Sequence, residues 1–81
     1  MQFEYTPHFK RKFTKLPIVS QRRFQKQITL LLRDIRHPSL HAKKFDEAQD
    51  IWQARLDDNA RFYFKITRDK YSLLDIKKHK D

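Results

Sequence analysis

From Phe24 to Ile35 the apolar residues Phe24, Ile28, Leu31, Leu32 and Ile35 fall within roughly a 100° arc of a helix, and Arg22, Arg23, Lys26 and Arg33 lie outside it. The spacing predicts an amphipathic helix that stops at His37-Pro38, because a residue before proline disfavours helical backbone. A shorter stripe precedes it: Phe9, Phe13 and Leu16 stand at i, i+4 and i+7, with Lys10, Arg11, Lys12 and Lys15 on the remaining surface. Thr6 is placed to cap this first helix, and Pro7 suits its first position, where no N–H is needed. Pro17 ends this helix or opens the next.

Elsewhere the period is two. Residues 2–6 alternate Phe3 and Tyr5 with polar neighbours and predict a short strand. Three further strands are predicted at about 51–57, 60–67 and 70–78, joined by tight turns at Asp57-Asp58-Asn59 and Arg68-Asp69-Lys70. The chain has no glycine, which makes Asn59 the expected positive-φ residue. Residues 39–50, with Lys43-Lys44 and the acids Asp46, Glu47 and Asp50, read as a connection. The predicted fold is α+β with the order β-α-α-β-β-β: one domain over residues 1–81, a curved, mainly antiparallel sheet with a two-helix hairpin on one face.

Alternation sorts the sheet into two faces. Trp52, Ala54 and Leu56, then Phe62, Phe64 and Ile66, then Ser72, Leu74 and Ile76 are expected beneath the helices. The opposite face is expected to carry Gln53 and Arg55, then Arg61, Tyr63 and Lys65, then Tyr71, Leu73, Asp75, Lys77 and His79. That surface is cationic and aromatic, and it is built on strands, which position side chains better than loops do.

Charge sharpens the picture. The net charge is +9, and residues 1–44 account for all of it, with eleven Lys and Arg against Glu4 and Asp34. Residues 45–81 are balanced, eight cations against eight acids, so their cations stand at chosen positions rather than forming a general excess. A field of this sign attracts polyanions: nucleic acid, the ribosome or an acidic protein. The chain has no cysteine, which excludes disulfides, thiolate catalysis and thiolate zinc sites. His37 and His41 have the i, i+4 spacing of helical metal ligands, but Pro38 breaks the helix that this spacing requires, and no metal or other cofactor is expected. No apolar run reaches membrane-spanning length, and residues 2–13 are mixed and charged, unlike a signal peptide; a soluble, cytoplasmic protein is expected.

Two segments, HPSLHAKKFDEAQDIWQARLDDNARFYFKI and LLDIKKHKD, together with the element order, resemble the RelE/ParE toxins of bacterial and archaeal toxin–antitoxin systems. The first is similar to that family's His-Pro-Ser-Leu, Lys-Lys, Ile-Trp-x-Ala-Arg and turn-Arg-Phe pattern, and the second to a branch ending in Ile-Gly-x-His-Asp. Lys77 replaces the family's glycine before the histidine, and Asn59 replaces its turn glycine. Many members continue past the position of Asp81, so a role carried by such a tail is not transferred.

The resemblance implies a metal-independent, ribosome-dependent mRNA endonuclease, with mRNA, the ribosome and a cognate antitoxin as partners and no membrane. In that reaction the RNA 2′-OH attacks the adjacent phosphate, charge builds on the phosphoryl oxygens, and the 5′-oxygen is protonated as it leaves. Arg61 and Arg55 are then the expected phosphate clamp, since a guanidinium fork matches phosphate and stays charged. His79 is the expected proton carrier. Lys43 and Lys44 orient the RNA, Tyr63 and Tyr71 stack bases, and Lys65 and Lys77 complete the RNA-binding surface. The alternative is a binding protein of the same fold: a ParE-like inhibitor of DNA gyrase, or a toxin-fold protein that only binds its antitoxin.

Overall fold

A computed structural model of the chain describes residues 2–78. The expected proton carrier, His79, lies outside the described residues. The elements run β1 (Gln2–Tyr5), α1 (Pro7–Thr14), α2 (Ile18–Arg33), a 3-10 turn (Pro38–Leu40), β2 (Lys43–Asp46), β3 (Ile51–Asp57), β4 (Ala60–Thr67) and β5 (Lys70–Lys78). They form a five-stranded sheet in the order β1-β5-β4-β3-β2. β1 lies parallel to β5, and every other pair is antiparallel. Among the described residues no helix is long and apolar enough to cross a membrane.

The helix starts follow from local chemistry. Thr6 is extended, and its Oγ1 accepts a hydrogen bond from the Phe9 N–H at 3.1 Å and donates one to the Leu74 carbonyl at 3.3 Å, so the cap also docks α1 on β5. Pro17 opens α2: its carbonyl accepts from the N–H groups of Ser20 and Gln21, each at 3.0 Å. α2 ends at Arg33, earlier than expected, because Asp34 turns extended. Phe24 and Leu31 mark the centre of its buried face, with Ile28 and Gln27 about 50° to either side at 3.6 residues per turn. Leu32 lies about 90° from that centre and is exposed, while Ile35 reaches the core from beyond the helix end.

The helices cover one sheet face with a continuous aromatic core. Phe24 meets Phe62 edge-on at 5.3 Å and Phe9 at 5.4 Å; Phe62 touches Phe64 at 5.8 Å, and Phe64 meets Tyr71 at 5.6 Å. Trp52 stacks on Phe64 at 6.3 Å, at the margin of the core.

β5 departs from simple alternation. Tyr63 pairs with Asp75, but Phe64 pairs with Leu73, so Leu74 is an extra residue and the strand is bulged there. Ile76, Asp75 and Lys77 keep their expected sides. On the other side of the bulge every residue is reversed: Leu73 and Tyr71 are buried in the core, and Ser72 and Leu74 are not beneath the helices. The expectation of an outward Tyr71 and an inward Ser72 and Leu74 is therefore corrected, because one inserted residue inverts a period-two face.

Two further corrections concern turns and the connection. Residues 43–46 are not loop but β2, pairing Lys43 with Gln53, Lys44 with Trp52 and Asp46 with Ile51. Positive φ occurs at His41, Asp50 and Arg68 and not at Asn59. The β3–β4 turn closes otherwise: a register shift between Arg55 and Asp57 leaves Leu56 as the extra residue, and Asp57 Oδ1 accepts from the Asn59 N–H at 2.8 Å.

One buried polar residue holds the sheet edge to the helix. Gln27 is 2% exposed, and its Nε2 donates to the Ser39 carbonyl at 3.0 Å and to the Arg55 carbonyl at 2.9 Å. It thus joins α2, the 3-10 turn and β3. Replacing Gln27 by Leu keeps the volume but removes the donor from both carbonyls, and is expected to cost about 1–3 kcal/mol in a urea denaturation measurement. A change below ~0.5 kcal/mol contradicts this role.

Candidate nucleic-acid interface

Arg55 projects outward between the buried Ala54 and Leu56, and Arg61 projects outward between the buried Ala60 and Phe62. The sheet register places them directly opposite one another, and Lys77 of β5 is the next partner of Arg61. Three cations therefore form one row across β3, β4 and β5. Like charges directly opposed on a sheet destabilise it, and of the two facing arginines Arg55 is compensated by Asp58 at 2.7 Å while Arg61 has no carboxylate partner among the described residues. The neighbouring row runs Lys43, Gln53, Tyr63, Asp75 across β2 to β5.

The two arginines are held differently. Arg55 Nη2 donates to Asp58 Oδ1 at 2.7 Å, and its Nη1 lies 3.4 Å from His41 Nε2. Arginine has no acceptor, so His41 Nε2 must be the accepting, unprotonated nitrogen in this contact. Arg55 Nε is buried with no hydrogen-bond partner among the described residues. Arg61 Nη1 reaches the carbonyls of Asp57 at 3.4 Å and Ala60 at 3.3 Å, both long contacts. Among the described residues Arg61 has no carboxylate partner, and the ion pair at this turn belongs to Arg55 and Asp58. His41, Lys43, Gln53, Arg55 and Arg61 together line a hollow of about 280 Å³, and none of these side chains is acidic. A second cationic hollow of about 370 Å³, beside the start of α2, holds Arg22, Arg23 and Lys26, but Asp57 and Asp58 line it as well.

Lys44 stands apart. Its neighbour in the register is Trp52, so it faces away from the hollow, with its Nζ over the Trp52 ring at 5.3 Å. It is paired with Asp50 and lies 3.9 Å from Glu47. The hydrogen bond to Asp50 holds its ammonium above the usual lysine range; desolvation opposes this, and the charges of Asp50 and Glu47 add to it. Tyr63 is outward as expected yet only 9% exposed, because Phe45 packs edge-on against it at 4.8 Å and Lys77 Nζ sits 5.4 Å above its ring. Burial raises its phenol above the ordinary value, with Arg61 opposing and Asp75 adding to the shift.

No family model matches the chain, and no curated protein does. Solved structures do. A YoeB/ParE toxin from Agrobacterium tumefaciens matches with a TM-score of 0.81 at 10% identity, covering 99% of this chain and 100% of that one. The toxin chain matched in the archaeal RelE–RelB complex from Pyrococcus horikoshii gives 0.79 at 18% identity over 95% and 92%. That matched in the intact Escherichia coli RelBE toxin–antitoxin complex gives 0.73 at 11% identity over 99% and 98%. The chain has the RelE/ParE toxin fold.

On this RelE/ParE scaffold the residues expected at the site divide clearly. Arg55, Arg61 and Lys43 come together in the hollow, with Lys77 and Tyr63 beside them. Lys65, opposite Ser72, lies farther along the same strand. Lys44 and Tyr71 are on the other side of the sheet. Three residues were missed. His41 and Gln53 line the hollow, and Phe45 covers Tyr63. Gln53 already stood on the expected outward face beside Arg55, whereas nothing in the sequence joined His41 and Phe45 to it. Among the described residues no three His, Asp or Glu side chains are grouped to hold a metal ion. His37 is turned to its own loop, with Nδ1 2.8 Å from Ser39 Oγ.

Proposed function

We propose that the chain is the toxin of a toxin–antitoxin module and that it cleaves mRNA on the ribosome without a metal. The observation that carries this reading is the opposed pair Arg55 and Arg61, held on rigid strands in a hollow with Lys43, where Arg55 is paired with Asp58 and Arg61 with no carboxylate among the described residues. Their repulsion is relieved when a phosphate enters, and it is relieved further as charge builds on the phosphoryl oxygens during attack by the 2′-OH. Arg61, with no carboxylate partner among the described residues, is the main clamp. Arg55, directly opposite it in the sheet and lining the same hollow, is the second. His79 is the imidazole assigned to proton transfer, on the family resemblance alone, and His41 is assigned to positioning Arg55, which it contacts at 3.4 Å. A cognate antitoxin is the natural partner, as toxin–antitoxin complexes stand among the structural matches. The +9 charge suits an acidic antitoxin segment as well as ribosomal RNA.

Mapping transcript 5′ ends after brief induction tests this reading. New ends inside translated regions are expected with the wild type. They should be absent with Arg61→Ala and suppressed when the antitoxin is co-expressed. Unchanged transcripts with stalled gyrase would instead establish the gyrase-inhibitor alternative.

A further inference from the structure

Phe45 is unexpectedly open for a large aromatic residue, 52% exposed in the middle of a strand. It is the extra residue where the pairing of β2 with β3 slips between Lys44 and Asp46, and its contact with the outward Tyr63 places its ring on the outward face. Its ring meets Tyr63 at 4.8 Å and 71°, and Lys77 Nζ lies 5.7 Å from it. Phe45, Ile51, Tyr63 and Leu74 supply the apolar lining of a hollow of about 230 Å³ that His8, Asp75 and Lys77 also line. On one sheet surface there is thus a cationic hollow with room for a phosphate and, beside it, an aromatic ring with Lys77 over it. Lys77 belongs to both, as the sheet partner of Arg61 and as the cation over Phe45 and Tyr63.

We propose that Phe45, braced by Tyr63 and Lys77, is the platform on which one base of single-stranded RNA stacks while the adjoining phosphate occupies the Arg55–Arg61 hollow. The inference rests on the reading of that hollow as a phosphate site and adds where the neighbouring base goes. Stacking suits this geometry because the Phe45 ring crosses Tyr63 at 71° rather than lying face to face on it, and half of the residue stays exposed to receive a base. Asp75, on the same face, is already engaged by His8 at 2.9 Å and Lys12 at 3.7 Å, so Lys43 and Lys77 set the sign of the surface, which favours a polyanion's base over an apolar helix of a protein. Stacking makes this contact tolerant of sequence. Selectivity among bases then falls to Gln53, the polar residue between the two hollows, whose amide both donates and accepts.

The test measures binding of a fluorescent eight-nucleotide single-stranded RNA at low salt, by anisotropy, to the full chain and to Phe45→Ala, Phe45→Leu and Phe45→Trp. Phe45→Leu keeps apolar cover on Tyr63 without a π face, and thermal melts confirm that each variant folds. Phe45→Ala and Phe45→Leu are expected to weaken binding about 5- to 100-fold, and Phe45→Trp is expected to retain it. An oligonucleotide carrying abasic sites is expected to bind wild type and Phe45→Leu equally. Equal binding of intact RNA by wild type and Phe45→Leu overturns the proposal. So does an equal loss on intact and abasic RNA, an absence of RNA binding by wild type, or a defect confined to antitoxin binding. Because binding is read without cleavage, an inactive but base-dependent binder would refute the nuclease reading and leave the stacking site standing.

Discussion

Arg61→Ala is expected to lower single-turnover cleavage of ribosome-bound mRNA by about 10²- to 10³-fold, a loss of about 3–4 kcal/mol of transition-state stabilisation. Binding to the ribosome should persist, since it is spread over the other cations of a +9 chain. Arg61→Lys should recover little, because a single ammonium does not reproduce the bidentate fork. The same register that makes Arg61 useful makes it costly. It faces Arg55 on one side and Lys77 on the other, so Arg61→Ala should fold about 0.2–1 kcal/mol more stably. Lost activity with gained stability is the signature of a residue kept for an anion. Lost activity with lost stability would make Arg61 a structural residue.

Tyr71→Ala is expected to have the largest effect on folding of any change at an expected site residue. Tyr71 is 6% exposed, stacks on Phe3 at 5.7 Å and meets Phe64 edge-on. Removing such a ring costs about 3–5 kcal/mol, against a total of about 4–12 kcal/mol for a chain of 81 residues. Tyr71→Phe should keep most of the stability, since the ring supplies the contacts. Burial also lifts the phenols of Tyr71, Tyr63 and Tyr5 above their ordinary value of 10.0. The unfolded chain therefore ionises first as the solution becomes alkaline. Stability is full below about pH 10 and falls as pH rises above it. Tyr71→Phe should make that fall shallower in denaturation curves taken from pH 8 to 11. A surface tyrosine, as alternation alone predicts, would give a near-neutral Tyr71→Ala and an unchanged pH slope.

The contrast between those two residues shows what period and composition reveal. Arg61 was legible because β4 runs unbroken from Ala60 to Thr67, with Phe62 and Phe64 marking the inner face. Tyr71 was not, because Leu73 and Leu74 are both apolar, and nothing in their identity says which one the bulge sets aside. β2 was hidden for a similar reason: Lys-Lys-Phe-Asp is too short and too charged to show alternation, as suits an edge strand. With β2 unread, Lys44 could not be separated from Lys43, nor Phe45 and His41 joined to the arginines. Gln27 was not singled out, since its partners are carbonyls of Ser39 and Arg55 that only the folded chain brings near. The two helices and most of their inner face, by contrast, follow from aromatic spacing, and the structure differs there at Leu32, at the buried Gln27 and at the helix ends.

The central claim is that the row of opposed cations serves phosphoryl chemistry on RNA. It is tested most directly by incubating the purified chain, free of antitoxin and in the presence of EDTA, with mRNA on programmed ribosomes, and repeating this with a 2′-deoxy nucleotide at the scissile position. The account predicts a downstream fragment with a 5′-hydroxyl and an upstream fragment ending in a cyclic phosphate, both lost with the 2′-deoxy substrate. Intact mRNA in every reaction, or cleavage that continues without the 2′-OH, would contradict it.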